Sequence, residues 1–367
     1  MKPLYRTVYE DLLTKIRGGQ YAAGDLLPTE AELCAQYGVS RITASHALNE
    51  LKAQGYVERK KRKGTEVLPL PFAPRGGEQS IAVVFGGVED FGQKIAGALA
   101  PYARKKGCPL MTFDSRHSQQ REREILQYLL TRNVRGLILW PVTRASNLDL
   151  LNEFAQAQIP LCFLDYPSYG FEAPCVSSDN YGGMFGITAH LAELGHRHIA
   201  YFPFKDNFLP TEQERFGGYC AALVKNGAVL DPAFFLRDPD GVRAATTESG
   251  RDLARCADHA VRTLLALRLR PTAVVCVNDA TALHFIRAAR AHGLRVPEDL
   301  SVTGFDNLAL AAQNEITTVS QDFGEMAKTA LNMILRQLAE PSLINNYAGT
   351  GRIRSVIIER GSVRRLS

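Results

Sequence analysis

The sequence predicts an α/β protein with a winged helix-turn-helix N-terminal domain and two doubly wound parallel-sheet subdomains behind it. Three observations carry this prediction. Residues 28–51 hold two short helix signals joined by a glycine turn, with a basic residue opening the second helix. A hairpin pattern with a strongly basic tip follows them. From Ser80 onward, short apolar runs alternate with helical stretches, and strands that are apolar on both faces imply a parallel sheet covered by helices on each side.

The first element is an amphipathic helix. Leu4, Val8, Leu12 and Ile16 recur every four residues with Tyr5, Tyr9 and Leu13 beside them, so one face covers the helix-turn-helix, and Gly18-Gly19 end the helix. Thr29 and Glu32 stand in capping-box spacing, which starts the next helix at Glu30. Gly38 can adopt the left-handed conformation that closes it, and Ser40 can cap a further helix starting at Arg41. In that helix Ile42, Ala44, Ala47, Leu48 and Leu51 recur at roughly helical spacing. Arg41, Thr43, Ser45, His46 and Asn49 are left largely outward, as side chains able to read base edges. The helix closes at Gly55. Tyr56-Val57-Glu58 and Thr65-Glu66-Val67 then form a hairpin whose tip carries Arg59, Lys60, Lys61, Arg62 and Lys63 before Gly64. A solvated turn is the plain alternative for such a run. After a recognition helix it reads as a wing whose cations neutralise phosphates or enter a minor groove, giving affinity and salt dependence but little sequence reading. The formal net charge of +5 is modest for 367 residues, yet Lys52 and the hairpin cations gather positive charge where a nucleic acid needs it.

The segment LPLPFAPRGGEQ, residues 68–79, has no helical or strand period and reads as a linker, stiff at its prolines and flexible at Gly76-Gly77. The expected domains are residues 1–68, a linker at 69–79, and residues 80–363. In the last, the strands IAVVF, PLMTF, GLILW and LCFLD alternate with helices. A second series runs through helix Asn180–Leu194, strand IAYF, helices Thr211–Asn226 and Ser249–Ala266, strand AVVCV, helix Ala280–His292 and strand SVTGF. That is too many strands for one mononucleotide-type unit, so two subdomains facing a cleft are expected, about 80–177 with 323–350 and about 178–322 with 351–363. Helix Phe323–Leu338 and a last strand Arg352–Ile358 return the chain between them.

In open α/β sheets ligands bind beyond the carboxyl ends of the strands. Asp90 and Phe91 follow the first strand, Asp114 the second, Trp140 the third, Asp165 the fourth, Asn278-Asp279 the strand AVVCV and Asp306-Asn307 the strand SVTGF. Carboxylates accept from paired hydroxyls, a guanidinium donates in a fork and aromatic faces cover C–H surface, a combination suited to a sugar or similar polyol. Each aspartate can instead be a helix N-cap, and Trp140 can be core. Asp165, followed by Tyr166-Pro167 rather than by a helix, fits capping poorly.

Composition excludes other classes. A 46% hydrophobic content suits buried cores, no run approaches the roughly 18 apolar residues of a membrane span, and the acids in MKPLYRTVYEDLL are unlike a secretory signal, so a cytoplasmic protein is expected. Seven scattered cysteines without a C-x-x-C pair read as reduced thiols. His190, His196 and His198 lie near Asp179, but their spacing places no pair on one helix face in the H-x-x-x-H manner. The chain also lacks G-x-S-x-G, P-loop and H-E-x-x-H motifs, so neither a catalytic site, a metal nor a cofactor is expected. His196-Arg197 is better explained by a helix end and its dipole. A cytoplasmic sugar-binding or sugar-processing enzyme without regulatory DNA binding remains the alternative.

Residues 3–67, in PLY, LLPTEAEL, YGVSRITASHAL, L-x-x-x-G-Y-V and KGTEV, resemble the winged helix-turn-helix of GntR-type bacterial regulators. The resemblance implies that Arg41 and Thr43 contact DNA, that Glu30 positions the recognition helix and that Lys63-Gly64 lie at the wing tip. Ser40, Ser45, His46, Lys61 and Arg62 complete the expected DNA-binding set. Ser45 stands where that family usually carries an arginine, leaving His46 or the wing cations to supply contacts. Residues 80–359 resemble the LacI/GalR repressors with their type I periplasmic-binding-protein-like effector domain. SSDNYGGMFGITAHLAELGHRHIAYF, ERFGGYCAAL, PTAVVCVNDATAL, VPEDLSVTGFDN and ITTVSQDF carry this likeness. It implies a ligand set of Asp165, Arg215, Asn278, Asp306 and Phe323, with Trp140 facing the pocket; Asp90 and Phe91 join the expected ligand set from their place after the first strand. The layout is that of arabinose-responsive repressors. It implies a homodimeric, ligand-responsive repressor of carbohydrate genes that binds a palindromic DNA operator and a mono- or disaccharide effector, with no membrane partner. RGSVRRLS after Glu359 lacks leucine heptads, so a dimer rather than a tetramer is expected.

Overall fold

Local capping chemistry and burial periodicity account for the elements of a computed structural model. It describes residues 4–17, 20–21, 24–53, 56–60, 63–68, 80–87, 91–132, 134–145, 147–203, 209–236, 250–344 and 349–366. The described chain divides into two compact units, residues 1–80 with 126–134 and residues 81–125 with 135–367.

The head comprises α1 (Leu4–Arg17), α2 (Glu30–Tyr37), α3 (Arg41–Ala53), β1 (Val57–Lys60) and β2 (Gly64–Val67). The expected capping box forms: the Glu32 amide donates to the Thr29 hydroxyl at 3.3 Å and the Thr29 amide to the Glu32 carboxylate at 2.7 Å. Gly38, at φ 63°, closes α2. The Ser40 hydroxyl accepts from the Thr43 amide at 3.2 Å, so α3 starts at Arg41. Val8, Leu12 and Ile16 of α1 pack with Leu33, Ala44, Ala47, Leu48 and Leu51 in one core. Ile42 departs from the expectation. At about 100° per residue it points roughly 200° away from Ala44, and it is 83% exposed. The wing is antiparallel, and residues 25–27 join its edge through the Leu27 amide on Thr65 O at 2.8 Å and the Val67 amide on Asp25 O at 2.8 Å. Gly18, Gly19, Gly55 and the expected linker at 69–79 lie outside the described residues.

The larger unit holds two lobes. The first contains β3 (Ile81–Phe85), α4 (Phe91–Lys105), β4 (Leu110–Asp114), the start of α5 (Gln119–Leu130) up to residue 125, β5 (Gly136–Leu139), α6 (Leu148–Gln156), β6 (Leu161–Leu164) and β7 (Cys175–Ser178). The second contains α7 (Asn180–Glu193), β8 (Ile199–Phe202), α8 (Pro210–Lys225), α9 (Gly250–Ala266), β9 (Ala273–Cys276), α10 (Asp279–Ala291), β10 (Ser301–Thr303), α11 (Ala309–Gln313) and β11 (Thr318–Ser320). The chain then returns as α12 (Phe323–Ala339), β12 (Thr350–Ile353) and β13 (Val356–Ile358).

The first sheet is six-stranded in the order β12-β7-β6-β5-β3-β4, and each of its pairings is parallel. The second lobe has a parallel β10-β9-β8 sheet and an antiparallel β11-β13 pair. Strands β3, β5, β6, β8 and β9 are buried throughout, as helix-covered parallel strands must be. Met326, Ala330 and Ile334 of α12 complete the first lobe's core against Val83, Ile138 and Leu164.

Two strand expectations are corrected. The single last strand expected at Arg352–Ile358 is two strands, because β12 pairs with β7 in the first sheet while β13 pairs with β11. Residues 351–353 therefore lie with the first sheet, not the second. Strand β7, short and half serine, was not anticipated at all.

Between the lobes the chain crosses at residues 178–180, 320–323 and 353–356. These crossings are tied together: the Asp179 amide donates to Ile353 O at 2.8 Å, and the Ser178 hydroxyl to the Gln321 side-chain oxygen at 2.5 Å. Among the described residues no helix is long and apolar enough to cross a membrane.

Candidate ligand cleft and nucleic-acid interface

Close helix packing positions the central cation of the candidate site. A Cβ on Gly218 of α8 would lie 2.3 Å from the Tyr181 carbonyl of α7, so glycine lets these helices meet. Arg215, one turn before it, is buried flat on the Phe305 ring at 3.8 Å. Its Nε donates to Asn180 Oδ1 at 2.8 Å, one Nη to Val277 O at 2.8 Å and the other to Asp306 Oδ1 at 3.1 Å. The same Asp306 oxygen accepts from Gln321 Nε2 at 2.6 Å. Asp165 and Asp306 leave their strands at φ 69° and 107°, a left-handed backbone that non-glycine residues adopt at a cost of about 1–3 kcal/mol. Burial pushes the Asp165 carboxyl up to about 7; Arg215 pulls it down and Asp306 adds to the rise. Asp306 is also raised, by burial first, against the pull of Arg215 and the Gln321 hydrogen bond.

Aromatic side chains form the apolar part. The Phe91 ring centre lies 4.7 Å from Trp140 and 5.4 Å from Phe323. Lys94 Nζ sits 5.0 Å over Phe323 and donates to Asn307 O at 2.6 Å, which joins this group to the loop carrying Asp306. Trp140 Nε1 is buried without a hydrogen-bond partner among the described residues. Asp90 lies outside them.

Three further candidates have local duties. Asn278 caps α10, its Oδ1 accepting from the Thr281 amide at 2.9 Å. Asp279 is fully buried, accepting from the Leu308 amide at 2.7 Å and from the Thr318 hydroxyl at 2.5 Å, so it fastens the 304–308 loop rather than capping a helix. Asp114 takes the Arg116 amide at 2.8 Å in a turn. The structure thus joins Arg215 to Asp306, with Asp165 near enough to feel the charge of both, and separately groups Phe91, Trp140 and Phe323. It adds Asn180, Phe305, Gln321 and Lys94, whose sequence signals were those of a helix start, a strand end, a crossing and a helix face. The set offers carboxylate acceptors, fixed donors and ring faces.

In the head, Glu30 accepts from Arg41 Nε at 3.1 Å and from Arg59 of the wing. Both arginines hold its carboxyl below the usual range, Arg59 most. Arg41 is exposed, Thr43 shares a 2.9 Å hydroxyl contact with Ser40, and the His46 ring stacks on Tyr5 at 4.1 Å. Ser45 and Asn49 both accept from Arg59. Lys63 is exposed at the hairpin turn beside Gly64 at φ 105°, whereas Lys61 and Arg62 lie outside the described residues.

His196 bridges Thr272 Oγ1 at 2.8 Å and Arg364 O at 3.0 Å, while Arg197 donates to the α7 carbonyl of Ala192 at 2.6 Å, as expected for a helix end. Among the described residues no three His, Cys, Asp or Glu side chains are placed to hold a metal ion.

Residues 4–67 match the family of bacterial regulatory proteins, gntR family, and residues 188–363 match the periplasmic binding protein-like domain. The chain is 29% identical over 348 residues to an arabinose metabolism transcriptional repressor of Geobacillus stearothermophilus, covering 93% of each protein. It is 28% identical over 350 residues to the HTH-type transcriptional repressor CytR of Escherichia coli K12, covering 92% of this chain and 97% of that one. A LacI family transcriptional regulator from Enterococcus faecium, solved with bound ribose, superposes with a TM-score of 0.64 at 23% identity over 79% of this chain and 100% of that one. The chain joins a gntR-family head to a periplasmic binding protein-like domain, whose fold it shares with the Enterococcus faecium regulator.

Proposed function

We propose that this protein is a ligand-controlled transcription repressor of carbohydrate genes, which binds an operator through α3 and a sugar in the cleft between its lobes. The observation that carries the proposal is the joining, in one chain, of a gntR-family head to a cleft where Asp165, Arg215 and Asp306 meet. Carboxylates on two different strand ends and a buried, four-point-held guanidinium suit vicinal hydroxyls, and the Phe91–Trp140–Phe323 rings suit the C–H face of a sugar ring. The relatives named for arabinose metabolism favour a pentose. Two copies would pair so that two heads meet a palindromic site. Ligand changes DNA affinity only to the extent that it binds two lobe arrangements unequally.

The test uses the full chain and DNA selected from a randomised pool. A pentose is expected to weaken binding to the selected DNA and to change the fluorescence of Trp140, the sole tryptophan. Asp306→Ala is expected to abolish both responses while DNA binding persists. Arg41→Ala should cost about 1–3 kcal/mol of DNA affinity with the fluorescence response intact. A chain that selects no sequence, or answers to no sugar, refutes the corresponding half.

A further inference from the structure

The hairpin cations have the chemistry of phosphate contacts, but one of them is not placed as such. Arg59, in β1, turns its guanidinium onto the outward face of α3. One Nη donates to Asn49 Oδ1 at 2.9 Å and to Ser45 Oγ at 3.3 Å, and the other to the carboxylate of Glu30. Ser45 and Asn49 are four apart and therefore adjacent on one helix face. That face continues to Arg41, which the same Glu30 carboxylate holds and which is 82% exposed. A single acid thus braces two guanidinium groups side by side on the surface that α3 presents.

From this we infer that Arg59 is a base-reading residue in the major groove, contributed to the recognition surface by the wing strand. The inference rests on α3 being the recognition helix. Three of the five N–H donors of Arg59 have partners among the described residues, which leaves two for a ligand, and a guanine edge offers two acceptors, O6 and N7. Holding the fork with three side chains removes rotamer freedom before DNA arrives. One carboxylate against two guanidiniums leaves the cluster net positive, so it is not repelled by the duplex. The side chain remains 32% exposed. Exposed Ile42, one turn before His46 on the same helix, adds an apolar group of the kind that meets a thymine methyl. A wing cation that served only phosphates would have no reason to be locked by Ser45 and Asn49.

The experiment is selection from a randomised DNA pool by the full chain, as wild type, Arg59→Ala, Arg59→Lys and Arg41→Ala, followed by affinity measurements on single-base variants of the selected site over a range of salt. If Arg59 reads a base, both Arg59 variants lose discrimination at one base pair by about tenfold or more and keep it elsewhere. Arg59→Lys keeps the charge but not the fork, and it decides the matter if Arg59→Ala fails to fold in a thermal melt. Unchanged preference in the Arg59 variants overturns the proposal and makes Arg59 a strut between wing and helix. Uniform weakening over all sequences, with a shallower salt dependence, also overturns it and makes Arg59 a phosphate contact. A wild type with no preferred sequence overturns the α3 reading as well. A wild type that selects a site, with Arg41→Ala weakened and the Arg59 variants unchanged, overturns the Arg59 proposal alone.

Discussion

Asp165, Asp279 and Asp306 are each held in the protein more readily protonated than in an unfolded chain. Burial raises Asp165 and Asp279 to about 7 and raises Asp306 in the same direction. A raised carboxyl stabilises the fold fully below its ordinary range, and that contribution is lost as pH climbs through the folded value. The ligand-free protein should therefore melt at progressively lower temperature as pH rises from about 5 to 8. Asp165→Asn removes one such group, so its melting profile should be flatter and lie above the wild type at pH 8; parallel profiles would count against this electrostatic picture. Asp165 stood out in the sequence because Tyr166-Pro167 rather than a helix follows it, which fits capping poorly. Asn180, Phe305 and Gln321 were hidden, since the same residue types serve helix starts, cores and turns. Asp279 was ambiguous in the opposite sense: sequence offered a ligand or a cap, and only the packing of Leu308 and Thr318 around it showed an anchor.

Helices were more legible than strands because caps mark their ends with specific chemistry. Thr29, Glu32 and Gly38 bound α2 to the residue, and Ser40 marks the start of α3. Strand β7 had only four residues, two of them serine, and the β12–β13 break depends on which sheet each piece pairs with, which no local pattern contains. Helix contacts make two sharp predictions. Gly218→Ala drives a methyl group into the α7 backbone and should destabilise the larger unit by about 1–3 kcal/mol in chemical denaturation. Ile42→Ser, on the exposed side of α3, should change stability by no more than about 0.5 kcal/mol, against the large loss that burial in the head core would entail. The same variant should weaken binding to the selected DNA, read by fluorescence anisotropy.

For the whole molecule, the three crossings matter more than either sheet. The hydrogen bonds joining residues 178–179, 321 and 353 tie the crossings into one narrow band, where the lobe movement that the proposed function requires would be centred. Strand alternation made the lobes legible. The return through α12 and β12 set their true boundary, because burial of Phe323, Met326 and Ile334 against the first sheet is a tertiary fact.

That return also fixes an order of assembly. Strand β12 pairs with β7 only after residues 180–320 of the second lobe have been synthesised, and α12 supplies apolar side chains to a core begun at Ile81. On the ribosome the first lobe must wait, incomplete and with one sheet edge open, while the second is made, a window in which nascent chains are prone to mispairing. A chain halted after Asp322 lacks β13 and residues 360–366 of the second lobe as well as α12 and β12, and should accordingly show protease sensitivity between residues 81 and 178 where the full chain resists. A protease-resistant first lobe in that truncated chain would show that the missing helix and strand are dispensable to it.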